Sequence, residues 1–290
     1  MLVAREDDLE MLASLPNGFY MFYGKGGIGK TALMKEFAEK NGAVYIGERN
    51  RVPHAAPINY ILAHMYGITR GYESHKGLIS KLKGVVREDT LIIDDMKFFI
   101  GLSSDIYTKA PLYLDVFKRV FLIFSGGTSS IKSRATEVRE LSLEEGREAV
   151  KSWGESEELA DIAYERRGYM DLRFAKLLIL ERENELADYI WNHMIRRPRA
   201  LVEVALEVYK RGTATTGEVA AALRHCKRKV TYYFDYLEYL GLVNKKILYR
   251  GDKGNTKMVW TLLDRQQVIE GLELALSLKK EGRVERFNFH

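Results

Sequence analysis

The chain has 290 residues, of which 46% are hydrophobic, so it is long and apolar enough for two packed domains and is not a disordered chain. Its net charge of +5 permits a nucleic-acid partner without requiring one, because a lysine-rich surface gives the same balance. The single cysteine, Cys226, excludes an internal disulfide and a Cys-based metal site, and no apolar run approaches the roughly 20 residues that span a bilayer, so we expect a cytoplasmic protein without a membrane partner.

The first 141 residues alternate between strand and helix patterns. Apolar runs predict strands over 19–23, 43–46, 90–94, 119–124 and 137–141. Helical spacing of apolar residues predicts helices over 7–15, 31–40, 58–65, 77–82 and 111–117. Strands that alternate with helices predict an α/β fold with a parallel sheet covered on both faces.

A glycine-rich loop between the first strand and the second helix matches the phosphate-loop pattern G-x-x-x-x-G-K-[ST] from Gly24 to Thr31. Glycines allow backbone N–H groups to turn inward around phosphates, and the following helix points its positive end at them. Lys30 is expected to reach the β- and γ-phosphates, and Thr31 to ligate Mg²⁺. The sequence therefore predicts a site for Mg²⁺ and ATP, with another nucleoside triphosphate as the less favoured alternative; no guanine-reading N-K-x-D motif is evident. The nucleotide-binding residues of this site are Gly24, Lys25, Gly26, Gly27, Ile28, Gly29, Lys30, Thr31 and Ala32.

Lys25, within this loop, has two interpretations. A lysine at this position resembles the signature lysine of the partition and septum-site ATPases, where it reaches the nucleotide of the partner subunit. It can equally be an exposed loop lysine that adds positive charge. The second interpretation is favoured because the acidic motif further along the chain does not fit that group.

Carboxylates follow a later apolar strand, in the motif L-I-I-D-D that ends with Asp94 and Asp95. A buried strand would deliver them to the sheet edge beside the phosphate loop, where Asp94 would hold Mg²⁺ and Asp95 would orient or activate water. An acidic pair that merely ends a strand is the alternative. Ser125 ends the next strand and could sense the γ-phosphate or simply begin a loop. Arg134 and Arg139 could supply charge to a phosphate in cis or in trans.

The pattern changes after residue 141. Residues 142–197 show helical periods only, beginning with a capping-box pattern at Ser142 and Glu145. After Pro198, three helices, a hairpin and a closing helix have the order of a winged helix-turn-helix domain. The helices are predicted over 200–209, 213–223, 227–239 and 265–280, and the strands over 242–248 and 257–262, around a turn at 251–254.

The third of these helices is basic at its start. In a winged helix-turn-helix this helix enters the major groove, and the tip of the wing can touch backbone phosphates. Its apolar face is Val230, Phe234, Leu237 and Leu240. Use of the domain for protein packing or regulation is the alternative, because the segment is only modestly basic. The candidate nucleic-acid contacts are Lys227, Arg228, Lys229, Tyr232 and Lys253.

Five segments together resemble a known family. They are R-E-x-x-L at 5–9, the phosphate loop, L-I-I-D-D at 91–95, F-S-G-G-T-S at 124–129 and L-S-L-E-E-G-R-E at 141–148. They resemble the archaeal ATPases of the STAND class, relatives of AAA+ proteins. The resemblance implies a P-loop ATPase core (1–141), a helical lid (142–198) and a winged helix-turn-helix domain with a C-terminal helix (199–290). It also implies a molecular switch that ATP holds in one arrangement and slow hydrolysis releases.

Members of that family usually carry Gly-x-Pro in the lid, where it contacts the base. Here residues 168–172 read Gly-Tyr-Met-Asp-Leu, without the proline. Two further functions stay open: an AAA+-type replication or repair ATPase related to origin-recognition proteins, and a nucleotide-binding regulatory module with negligible turnover. The candidate partners are double-stranded DNA, bound through the winged helix, or a protein partner or a second copy of the chain.

Overall fold

The computed structural model describes residues 5–47, 58–70, 74–94, 110–125, 135–195, 197–249 and 256–280. The chain forms two compact units, Met1–Met170 and Asp171–His290. The division falls inside the segment 142–198 that was predicted as a lid. The lid as a functional unit therefore stays a prediction.

The first unit is built on a five-stranded sheet in which every pair of neighbouring strands is parallel. This confirms the predicted α/β fold. The order is β2-β3-β4-β1-β5, so that β4 separates the strand before the phosphate loop from the strand that leads to Asp94. The strands are β1 Gly18–Gly24, β2 Val44–Ile46, β3 Thr90–Ile93, β4 Arg119–Ser125 and β5 Thr136–Glu137.

The last strand of the sheet is shorter than predicted. Residues 137–141 were expected to form it, but β5 covers only Thr136–Glu137, paired with Phe22 and Tyr23 of β1. The backbone N–H of Val138 still donates to the Tyr23 carbonyl. The carbonyl of the next residue, Arg139, accepts a hydrogen bond from a side chain instead of a neighbouring strand, so the ladder stops there.

Helices cover both faces of the sheet because alternate strand residues point to opposite sides. One core contains Phe22, Ile92 and Phe121 of the strands with Leu33 and Phe37 of α2. The opposite core packs Leu91 and Ile93 against the helices that follow β2. The helices are α1 Glu6–Ser14 and α2 Lys30–Asn41 on the first face, and α3 Ile58–Met65 and α4 His75–Val85 on the second.

The helix predicted over 111–117 is present and is of the 3₁₀ type. The segment Ala110–Asp115 is a 3₁₀ helix. At its end the N–H groups of Val116 and Phe117 both donate to the carbonyl of Tyr113, the first in the i+3 spacing of a 3₁₀ helix and the second in the i+4 spacing of an α-helix.

Two helices complete the first unit, α5 Leu143–Ser152 and α6 Glu158–Arg167. The predicted capping box at the start of α5 is confirmed: the Ser142 hydroxyl accepts from the Glu145 N–H, and the Glu145 carboxylate accepts from the Ser142 N–H. Gly146 lies so close to Met170 that a Cβ there would be 2.2 Å from the methionine sulfur. The helix thus packs closely on the segment around residue 169.

The second unit contains six helices and an antiparallel hairpin within its described residues. Their order agrees with the elements predicted after Pro198. Among all the helices described for this chain, none is long and apolar enough to cross a bilayer. The elements are α7 Leu172–Arg182, α8 Leu186–Met194, α9 Arg199–Arg211, α10 Thr216–Ala222, α11 Lys227–Tyr239, β6 Val243–Tyr249, β7 Thr256–Leu262 and α12 Gln266–Lys280.

A stacked aromatic pair fixes the hairpin on the helices of this unit. The rings of Phe234 and Trp260 lie 4.6 Å apart and nearly parallel, and both are buried. Trp260 also pairs with Ala214 through two backbone hydrogen bonds, and its indole N–H donates to the Thr216 hydroxyl at 3.2 Å. The predicted apolar face of α11 is confirmed as core, since Val230, Phe234, Leu237 and Leu240 are all buried.

Candidate functional site

The loop between β1 and α2 depends on its glycines. Gly27 and Gly29 have φ angles of 81° and 86°, in the left-handed region that side chains with a Cβ disfavour. A Cβ on Gly24 would lie 2.7 Å from the Cδ1 of Ile28 and 3.2 Å from the carbonyl oxygen of Val138. The motif therefore describes a backbone shape that other residues at these positions could not adopt without strain.

The ammonium of Lys30 lies on the backbone of this loop. The side chain is 5% exposed, and Nζ donates to the carbonyl oxygens of Gly24 at 2.9 Å and Lys25 at 2.6 Å. A buried ammonium is costly without hydrogen-bond acceptors, so these two bonds favour this position of the Lys30 ammonium. Thr31, half-buried, and Ala32, exposed, follow in the first turn of α2. The arrangement presents a cation and a helix N-terminus at one place, which suits an anionic group.

Asp94 is a buried carboxylate at the end of β3, with 1% of its surface exposed. Its backbone N–H donates to the Ile46 carbonyl at 2.8 Å, and its Oδ2 accepts from the Tyr45 hydroxyl at 2.7 Å. Asp94 follows Ile92 by two residues, so the two side chains share a sheet face, the one that α2 covers. The predicted metal ligand thus lies on the same side of the sheet as the helix that begins with Lys30 and Thr31.

The remaining predicted phosphate-sensing residues are only partly described. Ser125 is the last residue of β4 and lies in register with Gly24, so its backbone is beside the loop. Asp95 and Arg134 lie outside the described residues. Arg139 is described, and its guanidinium binds Glu145 at 2.7 Å and Asp8 at 3.4 Å.

Lys25 is exposed and engaged with its own chain. Its Nζ is 2.6 Å from a carboxylate oxygen of Glu140 and 4.7 Å from the ring centroid of Tyr169. The Tyr169 hydroxyl in turn donates to the carbonyl of Gly26 at 3.1 Å. Both interpretations of Lys25 stay predictions. Sequence reasoning missed Tyr169 and Glu140; the only signal was that Tyr169 belongs to the segment 168–172 discussed for base contact.

Arg5 supports the loop from beneath. Its side chain is fully buried, and the guanidinium donates to the carbonyl of Ile28, donates to the carbonyl of Arg139 at 3.1 Å and pairs with Asp8 at 3.0 Å. Burial lowers the pKa of Arg5, and the charge of Asp8 partly offsets this effect. Arg5 belongs to the R-E-x-x-L motif at 5–9, but the sequence alone assigns it no role.

No group of three or more His, Cys, Asp or Glu side chains that could hold a metal is found within the described ranges. Any Mg²⁺ at Thr31 and Asp94 would consequently need most of its oxygen ligands from a bound nucleotide or water. A hydroxyl and a carboxylate are the hard oxygen donors that this ion prefers, so the residues present fit it.

Helix α11 begins with exposed cations. Lys227, Arg228 and Lys229 occupy its first turn, which contains no acidic residue. Positive charge at the positive end of a helix is unfavourable by about 0.3–1 kcal/mol per residue at the surface. Tyr232 of the same helix is half-buried, and Lys253 lies outside the described residues. Lys229 Nζ lies 5.8 Å from the ring centroid of Tyr233 in the next turn.

No protein-family model and no curated protein matches the sequence. The fold is similar to the structure of the Aeropyrum pernix Orc1 protein in complex with DNA, with a TM-score of 0.58 and 19% identity over 97% of this chain and 94% of that one. A STAND protein with a tetratricopeptide repeat sensor from Pyrococcus horikoshii (TM-score 0.40, 16% identity, 96% of this chain and 45% of that one) and a RuvB variant from Thermotoga maritima (0.41, 15%, 89% and 88%) are more distant. The first comparison supports the P-loop NTPase fold of the core.

Proposed function

We propose that this chain binds ATP with Mg²⁺ and acts as a slow ATPase switch. The observation that carries the proposal is the loop from Gly24 to Thr31, with left-handed Gly27 and Gly29 and a buried Lys30 ammonium held on loop carbonyls. Phosphate oxygens are charged acceptors and are stronger partners for an ammonium than neutral carbonyls. Lys30 is thus positioned to exchange carbonyl oxygens for the β- and γ-phosphates.

Mg²⁺ at this site would be held by the Thr31 hydroxyl and the Asp94 carboxylate together with phosphate oxygens. The ion supplies positive charge that stabilises the phosphates during transfer. Asp95, which follows Asp94 directly, is the proposed residue that orients the attacking water. Ser125, in register with Gly24, is the proposed sensor of the γ-phosphate.

A switch requires contacts that differ between the nucleotide-bound and nucleotide-free states. Tyr169 and Lys25 supply candidates, because the tyrosine hydroxyl is bonded to the loop carbonyl of Gly26 and its ring lies beneath the lysine ammonium. Phosphates that enter the loop would compete with Glu140 and Tyr169 for Lys25. Binding of a nucleotide in the loop would then change the contacts of Tyr169, in the segment that follows α6.

ATP titration tests the nucleotide site. Lys30→Ala removes the ammonium and should weaken ATP affinity by about 10- to 100-fold, the range expected for a charge-assisted hydrogen bond. Equilibrium titration with fluorescent ATP in Mg²⁺ measures this change. Lys40→Ala, at the exposed end of the same helix, is the control and should bind as the wild type does. Absence of any nucleoside triphosphate affinity in the wild-type chain would refute the proposal.

A second proposal is that α9, α10, α11 and the hairpin form a winged helix-turn-helix that binds duplex DNA. It is favoured by Lys227, Arg228 and Lys229, which are unfavourable for the helix yet suit phosphates or base edges in a groove. The likeness in fold to a protein whose structure contains DNA is compatible with it. An AAA+-type replication or repair role, or a protein partner for this unit, are the alternatives.

Replacement of Lys227, Arg228 and Lys229 together by Ala should weaken duplex binding. The slope of log affinity against log salt should flatten by up to about 3, because the variant makes fewer phosphate contacts and its binding releases fewer counterions. Gel-shift or anisotropy titrations at several salt concentrations measure it. The control replaces Lys76, Lys81 and Lys83, exposed on α4, and changes the net charge equally. Equal DNA binding by both triple variants would contradict this role of α11.

A further inference from the structure

The proposed metal ligand Asp94 has a partner on a neighbouring strand. The Tyr45 hydroxyl donates to Oδ2 of Asp94 at 2.7 Å, and the carboxylate is 1% exposed. We infer that Tyr45 is a positioning residue for magnesium: it fixes the rotation of the Asp94 carboxylate and so sets where this side chain meets the ion. The inference rests on the proposed nucleotide–Mg²⁺ site.

The backbone of β2 also forms a hydrogen bond with Asp94. Tyr45 lies opposite Ile92 in the parallel register of β2 and β3, and the N–H of Asp94 donates to the carbonyl of Ile46 at 2.8 Å. Main chain and side chain of Asp94 are therefore both tied to the end of one short strand. A carboxylate fixed in this way loses little conformational freedom when an ion binds.

Gly47 leaves the space that the tyrosine ring needs. A Cβ at this position would lie 2.5 Å from the Tyr45 hydroxyl oxygen, 2.6 Å from Cε1 and 2.8 Å from Cζ. These distances are far shorter than van der Waals contact, so any larger residue at 47 would displace the ring. The glycine directly after β2 is thus explained by the path of Tyr45 towards Asp94.

The ring also borders the helix that begins at the phosphate loop. Nζ of Lys35, in α2, is 5.7 Å from the Tyr45 ring centroid, and Tyr45 packs against the core formed by α2 and the sheet. Lys35 is one helical turn after Thr31, the other proposed ligand. The hydrogen bond between Tyr45 and Asp94 therefore lies on the side of the sheet where the ion is expected.

Partners that orient metal ligands change metal affinity by about 10- to 100-fold when they are removed. A hydrogen bond that only satisfies the buried carboxylate would change the stability of the fold and leave the affinity for Mg²⁺ unchanged. The two roles differ in one observable, the Mg²⁺ dependence of nucleotide binding.

Tyr45→Phe in the full chain separates them, because it keeps the ring and removes only the hydroxyl. Fluorescent ATP is titrated in EDTA, and Mg²⁺ is then titrated at fixed ATP. We expect ATP affinity in EDTA to stay within about twofold of wild type, while the Mg²⁺ midpoint rises by about 10-fold or more. Gly47→Ala, which displaces the same ring, should reproduce the effect. Tyr66→Phe, which removes the hydroxyl bonded to Glu88 at 2.8 Å, is the matched control and should not.

An unchanged Mg²⁺ midpoint in Tyr45→Phe would overturn the inference and leave the proposed nucleotide site intact. Equal weakening with and without Mg²⁺ would also overturn it, because the hydroxyl would then act on the fold alone. A wild-type chain that binds no ATP under either condition would instead refute the proposed function, and with it the premise of this inference.

Discussion

A buried arginine supports the phosphate loop at the scale of single residues. Arg5 reaches two carbonyl groups far apart in the chain, those of Ile28 and Arg139, and its charge is matched by Asp8. A guanidinium suits this position because its N–H groups diverge in a fixed plane. Hydrogen bonds from Arg5 and Lys30 to backbone carbonyls of the loop therefore both stabilise its conformation.

Arg5→Met should destabilise the protein, since two buried carbonyls and one carboxylate lose a partner. Unsatisfied groups of this kind cost about 1–3 kcal/mol each. Because Asp8 keeps its ion pair with Arg139, the two carbonyls alone predict a loss of about 2–6 kcal/mol. Urea denaturation of the nucleotide-free protein measures it. Arg199→Met removes an exposed pair with Glu203 and should cost less than about 1 kcal/mol. Similar urea midpoints for the two variants would show that the hydrogen bonds of Arg5 do not stabilise the protein.

Gly24–Thr31 and Asp94 could be proposed from the sequence because the local pattern itself encodes their chemistry, and their role with nucleotide and Mg²⁺ stays a prediction. Sequence reasoning missed Arg5, Tyr45 and Tyr169 as contributors to the site. Their partners lie 23, 49 and 143 residues away in the chain. Such contacts depend on which strands and helices become neighbours, and periodicity in one segment carries no information about that.

At the scale of elements, the predictions succeed where a segment has a regular apolar pattern and fail where tertiary contacts end it. The aromatic strand before the loop and the capped start of α5 follow from their own residues. The strand over 137–141 was wrong in extent, because the Arg139 carbonyl is taken by Arg5. The helix predicted over 111–117 is present as a 3₁₀ helix over Ala110–Asp115.

Helix α11 illustrates how an element can be folded well and still carry an unfavourable charge pattern. Its buried face, with Phe234 stacked on Trp260, stabilises it through packing. The cations of its first turn oppose the helix dipole, although Lys229 Nζ also lies 5.8 Å from the ring centroid of the buried Tyr233. A role of the three residues in DNA binding stays a prediction, which the DNA titration tests.

At the scale of the whole molecule, the two compact units divide the predicted lid. Helices α5 and α6 belong to the first unit, and α7 and α8 to the second. Contacts with α12 explain the second assignment: Gln267 donates to the Glu181 carbonyl at 2.9 Å, and a Cβ on Gly271 would lie 2.5 Å from the Ala187 carbonyl. These partners are more than eighty positions apart, so the sequence could not reveal them. The domain limits at 141 and 198 stay predictions.

Ligand-linked unfolding of the full chain tests the central claim most directly. A ligand that binds only the native state stabilises it by about 2.7 kcal/mol at a hundredfold excess over its Kd. We predict that ATP with Mg²⁺ raises the unfolding midpoint of the wild-type chain, and that Lys30→Ala abolishes most of this rise. No rise in the wild type, or an equal rise in Lys30→Ala, would contradict nucleotide binding by the loop from Gly24 to Thr31.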